Sequence, residues 1–180
     1  REAARLSALV TADGIMPSPA IHSVVPVLRQ FIEICEAYGA TQIRAVATAA
    51  IRNASNSGQI IEILNRETGL DIELLPGEME GHYGFIGVVN KIDIAEGFII
   101  DIGGGSTEIT LFKERRRVSS FSFPFGAVNM NVRFGGSGNW TEERVSELEN
   151  FVLAEAQKHP WMSEHPGLDQ PQHSRRLLSE

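Results

Sequence analysis

The sequence contains little cysteine, little positive charge and no long hydrophobic run. Its 180 residues include one cysteine, Cys35, which excludes an internal disulfide framework and a zinc site built from several cysteines. Lysine and arginine number 16 against 23 aspartates and glutamates, a net charge of −7, so a broad nucleic-acid-binding surface is not expected. No stretch approaches the roughly 18 consecutive apolar residues of a membrane span. A local anion site is compatible with this charge, since a few oriented donors can bind a phosphate.

The chain also lacks a starting methionine and begins on the polar run 1–5. We therefore expect a fragment or a processed piece of a longer protein. Hydrophobic residues make up 42% and charged residues 22%, a balance typical of a folded chain rather than a disordered one. The length suits one domain of ordinary size or slightly more.

Helical and strand-like patterns alternate along the chain, which predicts an α/β architecture. Helices are predicted over 18–38, 59–68, 78–90 and about 141–159, and strands over 43–47, 71–75, 98–102, 107–112 and 118–123. Ser18 is the predicted N-cap of the first helix, and Pro26 is expected to kink or restart it. Segment 48–56 is predicted to be a loop.

Two of these elements carry packing predictions. The run 98–102 is almost continuously apolar, which favours a central strand buried on both faces. Gly81, Gly84 and Gly87 recur every three residues in the predicted helix 78–90. This spacing suggests a flat helix face packed against another backbone, which would offset part of the helix cost of glycine.

The most informative motif is 101–108, with the sequence Asp-Ile-Gly-Gly-Gly-Ser-Thr-Glu. Three glycines after a strand let the backbone approach a ligand and direct successive N–H groups at phosphate oxygens. Asp101 could hold a divalent cation such as Mg²⁺, directly or through water, and Glu108 could join it. The alternative is a tight hairpin in which glycine only permits positive φ. The spacing fits neither a dinucleotide fingerprint nor a Walker loop.

Two further segments contain candidate residues. Segment 77–81 places Glu78 and Glu80 at the start of a helix, where the helix dipole alone favours carboxylates; the functional alternative is that one of them activates water. Segment 47–56 places Arg52 among small residues, where it could bind a phosphate or simply form a surface salt bridge.

Together these segments resemble the exopolyphosphatase/guanosine pentaphosphate phosphatase (Ppx/GppA) family. The resemblance covers about residues 12–162, and the stretches that carry it are 45–56, 76–81, 99–108 and 123–128. The glycine motif is shared with the wider group of actin-like ATPases, whereas its combination with the other stretches is more specific.

The resemblance implies an actin/hexokinase-like fold of two related lobes, with the active site in the cleft between them. The expected fold class is an actin-like ATPase (ribonuclease H-like) lobe, with a mixed sheet flanked by helices, and a partial second lobe. We assign residues 1–122 to the first lobe, 123–162 to the start of the second lobe, and 163–180 to a tail or poorly ordered segment.

The resemblance also implies a reaction, the Mg²⁺-dependent release of the terminal phosphate of polyphosphate or guanosine pentaphosphate. By alignment, Glu80 is the catalytic residue that activates water, and Asp101 is the metal-associated residue. Glu108, which lies beside the second phosphate loop, is expected to be the second metal residue. The expected phosphate-binding residues are Arg52, Gly103, Gly104, Gly105, Ser106 and Thr107. The expected partners are polyphosphate or a (p)ppGpp-type nucleotide, with a homodimer as a further expectation, and neither nucleic acid nor membrane. A cytoplasmic role, in the stringent response, would follow from the same resemblance.

The sequence departs from the family pattern in three places. The Asp-x-Gly-Ser-like first phosphate loop has no counterpart in the 180 residues, and neither has the glycine-rich motif of the second lobe. Met79 stands where an acidic residue is usual, and Gly81 replaces an alanine. Two other functions stay open: an actin-like kinase or ATPase, and a non-catalytic module that holds a phosphorylated nucleotide.

Overall fold

The computed structural model describes residues 6–11, 13–136, 138 and 140–163. The α-helices are α1 (Ser18–Ala37), α2 (Ala49–Arg52), α3 (Ser57–Thr68), α4 (Gly77–Val89), α5 (Ala127–Met130) and α6 (Glu142–Ala156). The strands are β1 (Ala45–Ala47), β2 (Ile72–Leu74), β3 (Gly97–Ile102), β4 (Thr107–Lys113) and β5 (Arg116–Phe123). One-turn 3₁₀ helices cover Leu6–Leu9 and Pro160–Met162, and a π-helical turn covers Asn131–Gly135. Apart from Ser163, the predicted tail lies outside the described residues.

The described strands form two separate sheets. β1 and β2 pair in parallel, and β3, β4 and β5 form an antiparallel meander in that order. The alternation of helices and strands predicted from the sequence is therefore confirmed. No helix in the described part combines the length and apolarity needed to cross a bilayer.

The main apolar core lies between α1, α3 and the parallel strands. It includes the buried side chains of Met16, Ile21, Val24, Val25, Ala47, Ile51, Ala54, Ile60, Ile63, Leu64 and Ile72. Helical spacing in α1 and α3 gathers these residues on the inner faces, and removing them from water is the main source of stability for this part of the fold.

One expectation about α1 is wrong, because Pro17, not Ser18, is the residue before the helix. Of the two alternatives for Pro26, the restart does not occur, since the helix continues across Pro26 to Ala37. Val24 and Val25, which precede this proline, are buried, and we attribute the continuity of α1 to their packing, which offsets the hydrogen bond that a proline cannot donate.

The predicted loop 48–56 contains the short helix α2. Its amide groups close helical turns, as in the bond from Asn53 N–H to Ala49 O at 2.9 Å. Ala49 and Ile51 are buried, so packing of these two side chains selects a helical turn that the composition of the segment does not reveal. Arg52 is the last residue of α2 and is positioned by it.

α4 lies on the antiparallel sheet through glycines, but of the three predicted ones only Gly81 takes part, together with Gly77. A Cβ atom on Gly81 would lie 2.7 Å from Ser120 Oγ, and a Cβ atom on Gly77 would lie 2.6 Å from Ser122 Cβ. Gly84 has no neighbouring atom within 4 Å of its Cβ position, and the same is true of Gly87. The close-packed pair is thus i and i+4, which lie on one helix face.

β3 is not the doubly buried strand that its apolar sequence predicts. Among the described residues it pairs only with β4, and it is an edge strand of the meander. The side chains of Ile100 and Ile102 are 60% and 65% exposed. Burial of a strand depends on the layers around it, and the described chain covers one face of β3 only in part.

Aromatic side chains connect the meander to the C-terminal helix. Phe123 of β5 is 2% exposed, and its ring lies 4.9 Å from the ring of Phe125. Phe151 of α6 packs edge-on against Phe125 at 5.4 Å, and His159 contacts the ring of Phe121 at 3.8 Å. These contacts hold α6 beside β5 and the turn that follows it.

Candidate functional site

The glycine loop joins β3 to β4, as the sequence predicts. Gly103 N–H donates to Ser106 O at 2.9 Å and closes the turn. None of Gly103, Gly104 and Gly105 has positive φ. The hairpin alternative, in which glycine serves only to permit that conformation, therefore does not account for them.

The glycines instead allow other groups to approach closely. A Cβ atom on Gly105 would lie 2.7 Å from Ser7 Oγ, and one on Gly104 would lie 3.3 Å from a methyl group of Val128. A backbone without side chains also permits closer approach of an anion to its amides than a loop with side chains does.

The first amides of α5 hold this loop by its carbonyl oxygens. Ala127 N–H donates to Gly103 O at 2.9 Å, and Val128 N–H donates to Gly104 O at 3.0 Å. In a planar trans peptide the C=O and N–H bonds point in opposite directions. The N–H groups of Gly104 and Gly105, which follow these carbonyls, therefore point away from α5, as a phosphate cradle requires.

Asn129 extends the same arrangement by one peptide. Its side-chain Nδ2 donates to Gly105 O at 3.3 Å, which directs the following Ser106 amide in the opposite direction. Gly126 makes this approach possible, because a Cβ atom there would lie 2.4 Å from Gly103 O. Sequence reasoning did not single out Gly126 or Asn129 as site residues, although Gly126 lies within the matching stretch 123–128.

Arg52 and Glu80, two of the predicted site residues, form an ion pair. Arg52 Nη1 donates to Glu80 Oε2 at 2.9 Å and also to Leu75 O at 2.8 Å. The side chains of Arg52 and Glu80 are 19% and 24% exposed, so solvent screens this pair only partly. Glu78 pairs instead with Arg117 at 3.0 Å and is 70% exposed, which separates the two carboxylates of the 77–81 motif.

Glu108 is a buried carboxylate beside this pair. The residue is 4% exposed, and Ser122 Oγ donates to its Oε1 at 2.6 Å. Burial raises the pKa of Glu108 above its ordinary value. Hydrogen bonds from Ser122 and Ser106 oppose this rise in pKa, whereas the nearby charges of Glu80 and Asp101 add to it.

Ser122 connects the Arg52–Glu80 ion pair to Glu108. Besides its bond to Glu108, its Oγ lies 3.5 Å from Arg52 Nη2. Ser122 is not among the residues predicted from the sequence. The available signal was the pair of small hydroxyl residues at 120 and 122, which share one face of a strand.

Asp101 lies directly opposite Glu108 in the register of β3 and β4. Directly opposed residues of an antiparallel pair share a face of the sheet, so the two carboxylates face the same side, and Asp101 is the exposed one. No group of three or more histidine, cysteine or acidic side chains in the described part could hold a metal. Two carboxylates do suit Mg²⁺, which commonly completes its shell with water and substrate phosphates.

The hydroxyl of Thr107 does not reach this cluster. Thr107 is next to Glu108 in β4, so its side chain points to the opposite face of the sheet. Its Oγ1 donates to Phe125 O at 2.7 Å, and this bond holds the hairpin against the turn after β5. The expectation that the Thr107 hydroxyl serves as a phosphate donor is therefore not met by this geometry.

A cleft of about 340 Å³ opens beside the cluster. Its lining includes Arg52, Asn53, Gly77, Glu78 and Ser122. The structure thus brings together the predicted residues Arg52, Glu80, Asp101, Ser106 and Glu108 near one face of the antiparallel sheet. An arginine, three carboxylates and a loop whose amides point away from α5 are groups suited to binding a phosphate and directing water to it.

Comparison with known proteins gives a consistent family assignment. Residues 1–177 match the model of the Ppx/GppA phosphatase family. A curated protein of Mycobacterium tuberculosis named exopolyphosphatase 1 is 27% identical over 153 residues, which are 84% of this chain and 44% of that protein. The chain thus spans less than half the length of that relative.

Solved structures agree with this result. The crystal structure of an Aquifex aeolicus Ppx/GppA family member matches 85% of this chain and 50% of its own, with 31% identity and a TM-score of 0.64. An exopolyphosphatase from Cytophaga hutchinsonii has a similar fold, with 24% identity, a TM-score of 0.74, and coverage of 83% of this chain and 49% of its own. These similarities confirm the predicted α/β, actin-like fold class.

Proposed function

Because the chain belongs to the Ppx/GppA phosphatase family, we propose that the protein hydrolyses phosphoanhydrides and releases the terminal phosphate of inorganic polyphosphate or guanosine pentaphosphate. Relatives named exopolyphosphatase support this proposal. The observation that carries it is the convergence of Arg52, Glu80 and Glu108 beside a loop whose amides point away from α5.

Different residues of this chain serve different steps of the reaction. The amides of Gly104, Gly105 and Ser106 bind oxygens of the phosphate chain, and Arg52 binds other oxygens of the same phosphate chain. An incoming phosphate competes with Glu80 for the Arg52 guanidinium. Glu80 is then free to align a water molecule and accept its proton during in-line attack on the terminal phosphorus.

Asp101 and Glu108 are the residues that would hold Mg²⁺. An ion held by these two carboxylates would supply positive charge to the phosphate chain and to the transition state. An acidic protein with a polyanionic substrate needs such compensation, because the guanidinium of Arg52 balances only part of the negative charge of Glu80, Glu108 and Asp101.

We also retain three proposals from the sequence. The first is a lobe boundary after residue 122, which is one residue before β5 ends. The second is a homodimer, and the third is a cytoplasmic location.

The direct test is phosphate release by the complete gene product. Long-chain polyphosphate, guanosine pentaphosphate and ATP are each supplied with Mg²⁺ or with a chelator. We expect Mg²⁺-dependent release from one or both of the first two substrates. Hydrolysis of ATP alone would select the actin-like ATPase, and tight (p)ppGpp binding without turnover would select the non-catalytic module.

A further inference from the structure

One hydroxyl group connects a site residue of strand β4 to a site residue of helix α2. Ser122 Oγ has a single proton, which it donates to Glu108 Oε1 at 2.6 Å, and a free lone pair, which faces Arg52 Nη2 at 3.5 Å. The first bond is short and has an ionisable acceptor, as in the stronger class of hydrogen bonds in proteins. Ser122 therefore touches both an expected metal residue and an expected phosphate-binding residue.

The fold places this serine by two independent constraints. Ser122 stands directly opposite Glu108 in the register of β4 and β5. Gly77, the first residue of α4, lies against it so closely that an added Cβ atom would be 2.6 Å from Ser122 Cβ. The serine side chain is thus confined between a strand and a helix rather than free on the surface.

A neighbouring cross-strand pair provides structural hydroxyl groups for comparison. Thr110 and Ser120 lie two residues farther along the same strands and face Gly81 in the same way. Their hydroxyls bond to each other at 2.8 Å. Of the two cross-strand pairs, only the one at Ser122 engages charged side chains.

We infer that Ser122 is a positioning residue of the hydrolase proposed above. Its hydroxyl holds the Glu108 carboxylate in one orientation for binding Mg²⁺ and couples that carboxylate to Arg52. Outer-shell partners of metal ligands act in this way, by orienting the ligand rather than touching the ion. The inference rests on the proposed function, and it assigns to Ser122 a role that packing alone does not give.

The test compares Ser122→Ala with Thr110→Val in the complete gene product. Both variants remove one hydroxyl from the same sheet face, but only the first removes a bond to a charged group. Ion affinity is measured without substrate, by calorimetry with Mg²⁺ and by electron paramagnetic resonance with Mn²⁺. We expect Ser122→Ala to bind the ion about 10–100-fold more weakly than wild type, and Thr110→Val to bind it as wild type does.

Kinetics add a second readout. At saturating Mg²⁺, Ser122→Ala should lower kcat with little change in KM for the phosphate substrate. In a Glu108→Gln background the same substitution should have no further effect on ion affinity, because the group that it positions is gone. Equal ion affinity in Ser122→Ala and Thr110→Val, or an undiminished effect in the Glu108→Gln background, overturns the inference.

The two proposals fail in different ways. A wild-type protein that binds the ion but releases phosphate from none of the substrates contradicts the proposed function, and the ion titrations still decide the role of Ser122. A wild-type protein that binds neither ion contradicts the inference about Ser122. Melting curves of both variants are compared, and a lower ion affinity counts for the inference only at temperatures where both are folded.

Discussion

Arg52 lies 2.9 Å from Glu80, so the residue expected to bind phosphate also neutralises the residue expected to activate water. This contact would link the binding of substrate by Arg52 to the availability of Glu80 as a general base. While the guanidinium is bound to Glu80 and to Leu75 O, both groups are held in place at the edge of the cleft. In the proposed mechanism, a bound phosphate takes over part of the positive charge of Arg52, and the Glu80 carboxylate then becomes available to accept a proton from water.

Replacing Glu80 with glutamine tests its role as the base. Glutamine keeps the shape and can still accept a hydrogen bond from Arg52, but it cannot accept a proton from water. We expect Glu80→Gln to lose about 10²–10⁴-fold in kcat for phosphate release while its melting temperature stays close to that of wild type.

The matched control for this substitution is Glu73→Gln. Glu73 also pairs with an arginine, Arg44, at 2.7 Å, but both side chains of that pair are at least half exposed and lie away from the cluster. Activity close to wild type is expected for this variant. Near wild-type turnover in Glu80→Gln itself would rule out the assignment of Glu80 as the base.

Glu108→Gln should make the protein more stable at neutral pH. Burial raises the pKa of Glu108 in the folded state above its ordinary value of 4.5, so folding disfavours the charged form. The wild type therefore loses stability as pH rises from 4.5 to the folded-state pKa, and the glutamine variant does not.

The measurement is chemical unfolding of both proteins across a pH series, with a chelator present to exclude divalent ions. The stability advantage of Glu108→Gln should be full above the folded-state pKa and should vanish below pH 4.5, where the wild-type carboxyl is neutral in both states. An advantage that is independent of pH would mean that the charge of Glu108 is not its source.

Two glycines of α4 should respond to alanine in opposite directions. Gly84 has no atom within 4 Å of its Cβ position, and alanine there should stabilise the protein by about 0.5–1 kcal/mol through better helix propensity. A Cβ atom added at Gly77 would lie 2.6 Å from Ser122 Cβ, so alanine there should destabilise the protein by about 1–3 kcal/mol through overpacking. Urea unfolding measures both effects, and a stabilising Gly77→Ala would show that the contact between α4 and β5 can relax.

Gly126→Ala should damage the phosphate loop specifically. The new Cβ atom would lie 2.4 Å from Gly103 O and 2.8 Å from Gly104 C, and both are backbone atoms that cannot turn aside as a side chain can. We expect a loss of about 1–3 kcal/mol in stability together with weaker binding of inorganic phosphate, measured by calorimetry. Gly84→Ala is the control, and unchanged phosphate binding in Gly126→Ala would argue against the cradle.

The sequence predicts the helices and strands well where periodicity and end signals agree. Thr141, for example, begins the predicted helix 141–159 and caps α6, with its side chain accepting a hydrogen bond from Arg144 N–H. The prediction that segment 103–106 joins one strand to the next is likewise correct. The errors arise from tertiary packing rather than from local sequence pattern. The exposure of Ile100 and Ile102 depends on what packs over β3, and the short helix α2 depends on the burial of Ala49 and Ile51.

In the candidate site, too, local sequence pattern predicts some residues and tertiary packing determines the others. The sequence motifs supply Arg52, Glu80 and Glu108, and the structure places them in one cluster. Ser122 and Gly126 could not be selected beforehand, because their importance comes from strand register and from the distance between two backbones. Neither quantity is visible in a single sequence without knowledge of which strands are neighbours.

The edge position of β3 affects how this stretch of polypeptide will behave when it is prepared alone. Among the described residues β3 pairs with β4 alone, and a strand at a sheet edge that carries two exposed isoleucines is a template for pairing with another extended chain. At high concentration such an edge promotes aggregation, and salts that strengthen apolar burial will make it worse. Solubility, and not the chemistry of the carboxylate cluster, will therefore set the working conditions for these 180 residues by themselves.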